Sequence, residues 1–388
     1  MTAAIDTRTA AAIDAPPARR ADFERALVCI LGLPFDAIDV AQAVQRIRAA
    51  AFGAERCFVS TPNLNFAIAA RSDTAFRGSV LRSDLSLIDG MPLVWIARLL
   101  GLPVRARASG ADVFEALQAH AGPPVTVYLF GGPPGAAALA CEGINRRGGG
   151  VRCVGHDAAG FGSIESMSGA EQIARINRSG AQFVVVSLGA AKGQAWIEHN
   201  AARLNAPVLS HLGAVVNFAA GSVARAPRWV RSLGLEWLWR IKEEPSLWRR
   251  YWNDGIALSG LLLSCVLPDA LAARRWRAHD PRSLPPPQLE STRSPRGYTL
   301  RLGGDWRGEA GIGALRAALA CCAADEEAPL AVDLAGVTAV GNRFTALMLV
   351  ARGWFGARGG WAVTGANVTV ATTLRRKLAA DALLGGDR

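Results

Sequence analysis

The chain has 388 residues, 51% of them apolar, and 43 Lys and Arg against 32 Asp and Glu, for a formal charge of +11. That apolar content excludes a disordered protein, and the length allows two or three domains. The positive charge favours phosphate-bearing partners, but charge alone does not choose between nucleic acid, anionic lipid and a diphosphate substrate. The seven cysteines, Cys29, Cys57, Cys141, Cys153, Cys265, Cys321 and Cys322, form no CxxC pair. Free, mostly buried thiols in a reducing compartment are therefore expected, and no disulfide or metal framework.

The first 25 residues are rich in Ala, Thr and Arg, contain Pro16-Pro17 and lack the apolar stretch of a secretion signal. They read as a disordered tail. From Ala26 to about Leu212, short apolar runs alternate with helical stretches. Cys57–Val59 leads into Thr61-Pro62-Asn63, Leu85–Ile88 into Asp89-Gly90, Val125–Phe130 into Gly131-Gly132, and Phe183–Leu188 into Gly189; Glu171–Asn177 has the pattern of a helix. Repetition of strand, small or polar turn and helix predicts an α/β domain with a largely parallel sheet. Ligands of such sheets lie beyond the carboxyl ends of the strands, so the polar residues after these runs are the candidate site.

From Asn217 to about Arg277, Arg and Trp become frequent. The longest strongly apolar run, Ile256–Leu267, is bounded by Asp254 and Pro268. It falls short of the roughly 20 residues a membrane span needs, yet suits a helix lying on a surface. The Pro281–Pro287 stretch reads as an extended linker. A fresh α/β pattern follows over Gly297–Leu384. It predicts strands at Tyr298–Leu302, Leu330–Leu334 and Trp361–Thr364, and helices at Ile312–Cys322, Phe344–Phe355 and Val370–Leu378.

Each turn admits a structural and a chemical reading. Thr61 and Asn63 suit a helix cap, and equally the lining of a sugar or phosphate pocket. Asp89 suits either a cap before Pro92 or a general base for an acceptor hydroxyl. Arg107 reads as a solvated side chain or a bidentate phosphate ligand, and Asp112 as a favourable charge at a helix start. Gly131-Gly132 and Gly189 open turns whose N–H groups can meet phosphate; Lys192 and Gln194 follow the second turn. The five histidines are scattered and no DxD motif occurs, so no metal and no cofactor are expected.

In order and spacing, these motifs resemble the WecG/TagA/CpsF glycosyltransferase family. The resemblance runs through Thr61-Pro62-Asn63, Asp89-Gly90-Met91-Pro92-Leu93-Val94, Arg107 with Gly110 and Asp112, Leu129–Gly132, Ser187–Gly189 and the Gly221–Pro227 run. It is most specific in Gly234–Arg240 with Glu244-Pro245 and Arg249-Arg250-Tyr251, and covers roughly Leu27–Tyr251. It implies a Rossmann-like domain with helices on both faces of the sheet. It also implies metal-independent, inverting transfer of N-acetylmannosamine or a related sugar from a UDP-sugar to a polyprenyl-diphosphate-linked acceptor. By matching motifs, Asp89 is the base, Thr61 and Asn63 line the sugar site, and Arg107 meets acceptor or phosphate. The basic appendage with Arg225, Arg228, Arg231, Arg240, Arg249 and Arg250 would meet an anionic membrane surface, placing the protein at the cytoplasmic face of the membrane. Trp-rich basic segments fit that setting better than nucleic acid, which is not expected as a partner.

Two departures from the family pattern stand out. A loop that usually reads Pro-Lys-Gln-Glu is Ala191-Lys192-Gly193-Gln194 here, and the later Gly-x-Gly-Ala segment begins at His211, with Asn217 where Asp is common. The last segment resembles a STAS domain through Leu330–Val337. Gly341-Asn342-Arg343-Phe344 replaces the usual Asp-Ser-Ser-Gly, so the phosphorylatable Ser is absent and a docking role toward a protein partner is the expectation. The domain reading is thus a tail over 1–25, a transferase domain over 26–252 with its appendage from about 217, an amphipathic segment and linker over 253–296, and a STAS-like domain over 297–388. The competing reading is a catalytically lapsed nucleotide-sugar-binding regulator acting through the STAS-like domain.

Overall fold

The computed structural model of the chain describes residues 16–158, 160, 162–221, 225–232, 234–277, 284–325 and 327–385. The strands are β1 (Leu27–Ile30), β2 (Leu33–Asp36), β3 (Cys57–Ser60), β4 (Leu85–Ser86), β5 (Val125–Gly131), β6 (Val151–Asp157), β7 (Phe183–Ser187), β8 (Val208–His211), β9 (Gln288–Ser294), β10 (Gly297–Trp306), β11 (Leu330–Val340) and β12 (Trp361–Thr364). They form a β1–β2 hairpin, a six-stranded sheet of order β4-β3-β8-β7-β5-β6, and a four-stranded sheet of order β12-β11-β10-β9. The α/β class expected from the alternating pattern is what folds. Ladders β3–β8, β8–β7, β7–β5 and β5–β6 are all parallel. In the smaller sheet β10–β11 and β11–β12 are parallel and β9–β10 antiparallel. The described residues divide into two compact units, one of 16–20, 41–59 and 111–221, the other of 21–40, 60–110 and 225 onward.

The first unit is built on the buried parallel strands. Every residue of β5 is buried, as a strand covered on both faces requires. Phe130 stacks on Trp196 at a centroid distance of 4.2 Å, and the Trp196 indole N–H donates to the Met167 carbonyl (2.7 Å). The sequence reading missed β6 and β8. It also expected only free thiols, and that is corrected here. Cys141, on the helix Ala136–Arg147, is disulfide-bonded to Cys153 of β6, with the Cα atoms 5.3 Å apart. A separation of 12 residues has no signature in spacing; the bond exists because that helix packs back onto β6, where the Asn145 amide also clasps both backbone groups of Cys153.

In the second unit, one apolar core joins the C-terminal module to the N-terminal hairpin. Phe23, Leu27, Cys29 and Leu81 pack in the same cluster as Leu300, Val332, Phe344 and Trp354. Phe23 and Arg25, within the segment read as a tail, are thus buried. The hairpin turn, also missed, is signalled by Leu31-Gly32. Both residues take positive φ (50° and 78°), the conformation of a two-residue hairpin turn, and a Cβ on residue 32 would lie 2.3 Å from the Leu378 carbonyl oxygen. The C-terminal expectations hold in kind: Trp361–Thr364 is β12, while β10 and β11 run longer than predicted. Part of the predicted Pro281–Pro287 linker lies outside the described residues.

The apolar run Ile256–Leu267 is not a separate element. A continuous helical stretch covers Pro245–Arg277, 33 residues, long and apolar enough by length and composition to cross a membrane, with 28% of its most apolar window buried. Pro268 does not end it. Proline removes an i→i−4 hydrogen bond and crowds the preceding turn, and here the turn just before it, Leu262–Val266, is π-helical. One face is buried through Asp254, Leu261, Val266, Asp269 and Ala270, packing on the helices Leu64–Ala69 and Met91–Leu100. Asp254 accepts from the Asn65 amide (3.3 Å) and Asp269 from the Lys377 ammonium (2.8 and 3.1 Å). The opposite face exposes Trp248, Trp252, Ile256, Leu263, Leu267 and Leu271.

Candidate active site

In the second unit, three turns are stitched together by backbone bonds. The Leu87 N–H donates to the Ser60 carbonyl (2.8 Å), the Asp89 N–H to Pro62 (3.0 Å), and the Ala108 N–H to Ile88 (2.9 Å). Thr61–Asn63, Asp89-Gly90 and Arg107-Ala108 are thereby fixed side by side. Gly90 has φ +112°, and a Cβ there would stand 4.0 Å from the Asn63 Cβ.

The alternatives left open at these turns now separate. Asn63 does cap the helix Leu64–Ala69, its Oδ1 accepting from the Phe66 N–H (3.1 Å). Thr61 is buried. At the helix Met91–Leu100 the capping position is Gly90, the residue after Asp89. A half-buried carboxylate thus stands two residues before the start of a helix. Arg107 is neither solvated nor held in reserve; it forms an ion pair with Glu236, both side chains largely buried (13% and 20% exposed). This joins the site turns to the helix Glu236–Glu243 of the basic appendage, a link not visible in the sequence because 129 residues separate the partners. Asp112 sits in the first turn of the helix Gly110–Ala119.

The first unit collects the glycine turns at the carboxyl ends of β5, β7 and β8. The Gly132 N–H is committed to the Ser187 carbonyl (2.8 Å), and the Ser187 hydroxyl donates to the Gly213 carbonyl (2.9 Å). The expectation that Gly132 offers its N–H to a phosphate is corrected accordingly. The close approach of β5 to β7 decides the residue type: a Cβ on Gly131 would come 2.7 Å from the Ser187 carbonyl oxygen. Gly189, at φ +83°, turns β7 into the helix Ala190–Asn200, with Lys192 exposed on its first turn and Gln194 buried.

His211 was not singled out as a site residue, and it accounts for the unusual Gly193. A Cβ on residue 193 would lie 2.3 Å from His211 Cδ2, and one on Gly213 would lie 3.1 Å from His211 Nε2. The imidazole therefore occupies the space a side chain at 193 would take. Burial pulls its pKa down to about 4, so the ring is neutral near pH 7.

In the appendage, Arg249 and Arg250 are exposed, and their guanidinium groups lie over the rings of Trp248 (5.6 Å) and Tyr251 (4.9 Å). Arg240 pairs with Glu244 at 3.5 Å, and Arg231 is half-buried on the helix Arg228–Ser232. Arg225 precedes that helix, and Ser222–Ala224 of the Gly221–Pro227 run lie outside the described residues. Among the described residues, no three His, Cys, Asp or Glu side chains gather as a group able to hold a metal ion.

Residues 28–270 match the glycosyl transferase WecG/TagA/CpsF family. The chain is similar to the N-acetylglucosaminyldiphosphoundecaprenol N-acetyl-beta-D-mannosaminyltransferase of Bacillus subtilis (strain 168), 29% identical over 194 residues, which is 50% of this chain and 73% of that protein. The protein of the same name from Bacillus spizizenii is 26% identical over 194 residues, 50% of this chain and 74% of that protein. The family match ends before the C-terminal module.

Proposed function

The chain belongs to the WecG/TagA/CpsF family of glycosyl transferases, and on that footing we propose that it moves N-acetylmannosamine or a related hexose from a UDP-sugar to a polyprenyl-diphosphate-linked acceptor, with inversion, in bacterial cell-envelope polysaccharide synthesis. The observation that carries this reading is the Asp89 turn. Its backbone is pinned to Pro62, and its half-buried side chain follows a strand of the parallel sheet. Asp89 takes the proton of the acceptor hydroxyl as that oxygen attacks the anomeric carbon and the bond to the UDP oxygen breaks. Thr61 and the Asn63 amide stand beside that turn for the sugar. The charge that develops on the departing diphosphate must be met by fixed donors.

The packing of His211 against Gly193 favours an enzyme over a lapsed one. The missing side chain at 193 is matched by a ring that fills its place, which is a rearranged site and not an eroded one. The membrane role rests on the exposed Trp/Ile/Leu face of Pro245–Arg277 with Arg249 and Arg250 at one end and Arg274 and Arg275 at the other. A helix whose other face is packed on protein and paired through Asp254 and Asp269 suits lying in the headgroup layer at the cytoplasmic face better than crossing it. The mixed four-stranded sheet with its helices supports the STAS-like reading of the C-terminal module. The test is a panel of UDP-sugars offered to the purified chain with a short lipid-diphosphate acceptor. Consumption of UDP-N-acetylmannosamine or a close relative, dependent on acceptor, is expected; no consumption of any donor refutes the reading.

A further inference from the structure

Strand β4 is two residues long and ends three residues before Asp89. To the backbone bonds that Leu87 and Asp89 make with Ser60 and Pro62, the β1–β2 hairpin adds a second hold. The Asp36 carboxylate, at the end of β2, accepts from the Ser86 N–H of β4 (2.7 Å). The same carboxylate is gripped by Arg25, through Nε (3.0 Å) and an η-nitrogen (2.6 Å), while the other η-nitrogen donates to the Ser83 carbonyl (2.8 Å). Arg25 and Asp36 are 2% and 1% exposed. Burial works against the Arg25 cation, and the carboxylates around it, Asp36 first and then Asp84 and Asp22, more than offset this, raising its pKa above the ordinary value. A buried pair with its hydrogen bonds directed in this way tolerates little displacement, because moving either partner strands a charge in the interior.

The hairpin is in turn held by the C-terminal module. The Asn342 side chain, at the start of the helix Asn342–Gly356, clasps Cys29 of β1 from both sides: Oδ1 accepts its N–H (2.8 Å) and Nδ2 donates to its carbonyl (2.6 Å). Arg316, on the helix Ile312–Ala323, donates to the Arg25 carbonyl (2.8 Å). Gly353 meets the helix ending at Leu81 so closely that a Cβ would lie 2.2 Å from the Leu81 carbonyl oxygen, two residues before Ser83.

We propose that the C-terminal module is a positioning element acting in cis on the transferase site: Asn342 and Arg316 fix the hairpin, and the hairpin's Asp36 sets β4 and the turn that carries Asp89. The role of Asp89 in this inference rests on the transferase reading above.

The test uses the full-length chain with Asn342→Ala and, separately, Asp36→Asn, which keeps the side-chain shape and removes the charge. Two quantities are read: kcat and KM for the donor, and amide hydrogen exchange at Leu87 and Asp89, whose N–H groups bond Ser60 and Pro62, against Val332 and Leu334 of β11. Misplacement by about 1 Å can cost on the order of 10²-fold in rate. The expected result for both variants is a kcat lowered about 10-fold or more, donor KM changed less than about three-fold, and faster exchange at Leu87 and Asp89 with β11 still protected. Unchanged exchange at Leu87 and Asp89, or equal acceleration in β11, overturns the proposal, as does faster exchange at the turn with undiminished kcat. The exchange comparison does not require turnover. A wild-type chain that transfers no sugar would count against the transferase reading, and local or absent acceleration would still decide whether the module positions the turn.

Discussion

Replacing Gly193 by Ala should destabilise the protein, against the usual sign for a glycine inside a helix. Helix propensity alone favours Ala by about 1 kcal/mol. The new Cβ, however, would stand 2.3 Å from His211 Cδ2, 2.8 Å from Cγ and 3.2 Å from the His211 Cβ. Carbon atoms rest at about 3.5–4 Å, so the ring or the helix Ala190–Asn200 must shift by about 1 Å. A rotamer change would move the ring but leave the 3.2 Å contact to the His211 Cβ, so it relieves the clash only in part. Overpacking of this kind costs about 1–3 kcal/mol, which leaves a net loss of up to about 2 kcal/mol and a fall of up to a few degrees in Tm. In a His211→Gly background the ring is gone and the same substitution should instead stabilise, by up to about 1 kcal/mol. The measurement is thermal unfolding of the four proteins of the double-mutant cycle. The decisive feature is the reversal of sign, a coupling of about 2 kcal/mol, within the range seen for residues in contact. A stabilising Gly193→Ala in the wild-type background, or the same sign in both, would refute the packing argument.

Asp89→Asn is expected to fold and melt like the wild type and to lose about 10²–10⁴-fold in turnover; near-normal turnover with unchanged melting rejects it as the base. Transfer should persist in excess chelator, since no DxD or ligand cluster occurs among the described residues; loss on chelation that Mg²⁺ or Mn²⁺ restores would reverse this. Each basic residue near an anionic leaflet contributes about 1 kcal/mol, so Arg249→Glu with Arg250→Glu should release the chain from anionic liposomes and reduce transfer to a lipid acceptor more than to a water-soluble analogue. Equal losses on both acceptors with liposome binding intact would place these arginines elsewhere than at the membrane.

The sequence alone determined the α/β class, the positions of β3, β5, β7 and β12, and the residues that follow the strands. These are local properties: a short apolar run ended by Thr-Pro-Asn, Asp-Gly or Gly-Gly dictates strand and turn whatever packs around it. The family likeness, read over roughly Leu27–Tyr251 and matched over residues 28–270, was legible for the same reason, since motifs are fixed by order and spacing. What the tertiary structure decided is which alternative each residue takes. Asn63 caps its helix, while at the next turn Gly90, with positive φ, holds the capping position one residue after Asp89. Arg107 finds Glu236 only when distant elements meet, and Cys141 finds Cys153 only when its helix packs back on the strand that follows. Pro268, a stop signal by propensity, sits inside a helix because the π turn before it accommodates the ring and buried contacts with neighbouring helices hold the rest. The bonds from Asn342 to Cys29 span 313 residues, and no periodicity in either segment encodes them. Pairings of this kind depend on which surfaces fold against each other, and the local pattern of a chain carries no record of that.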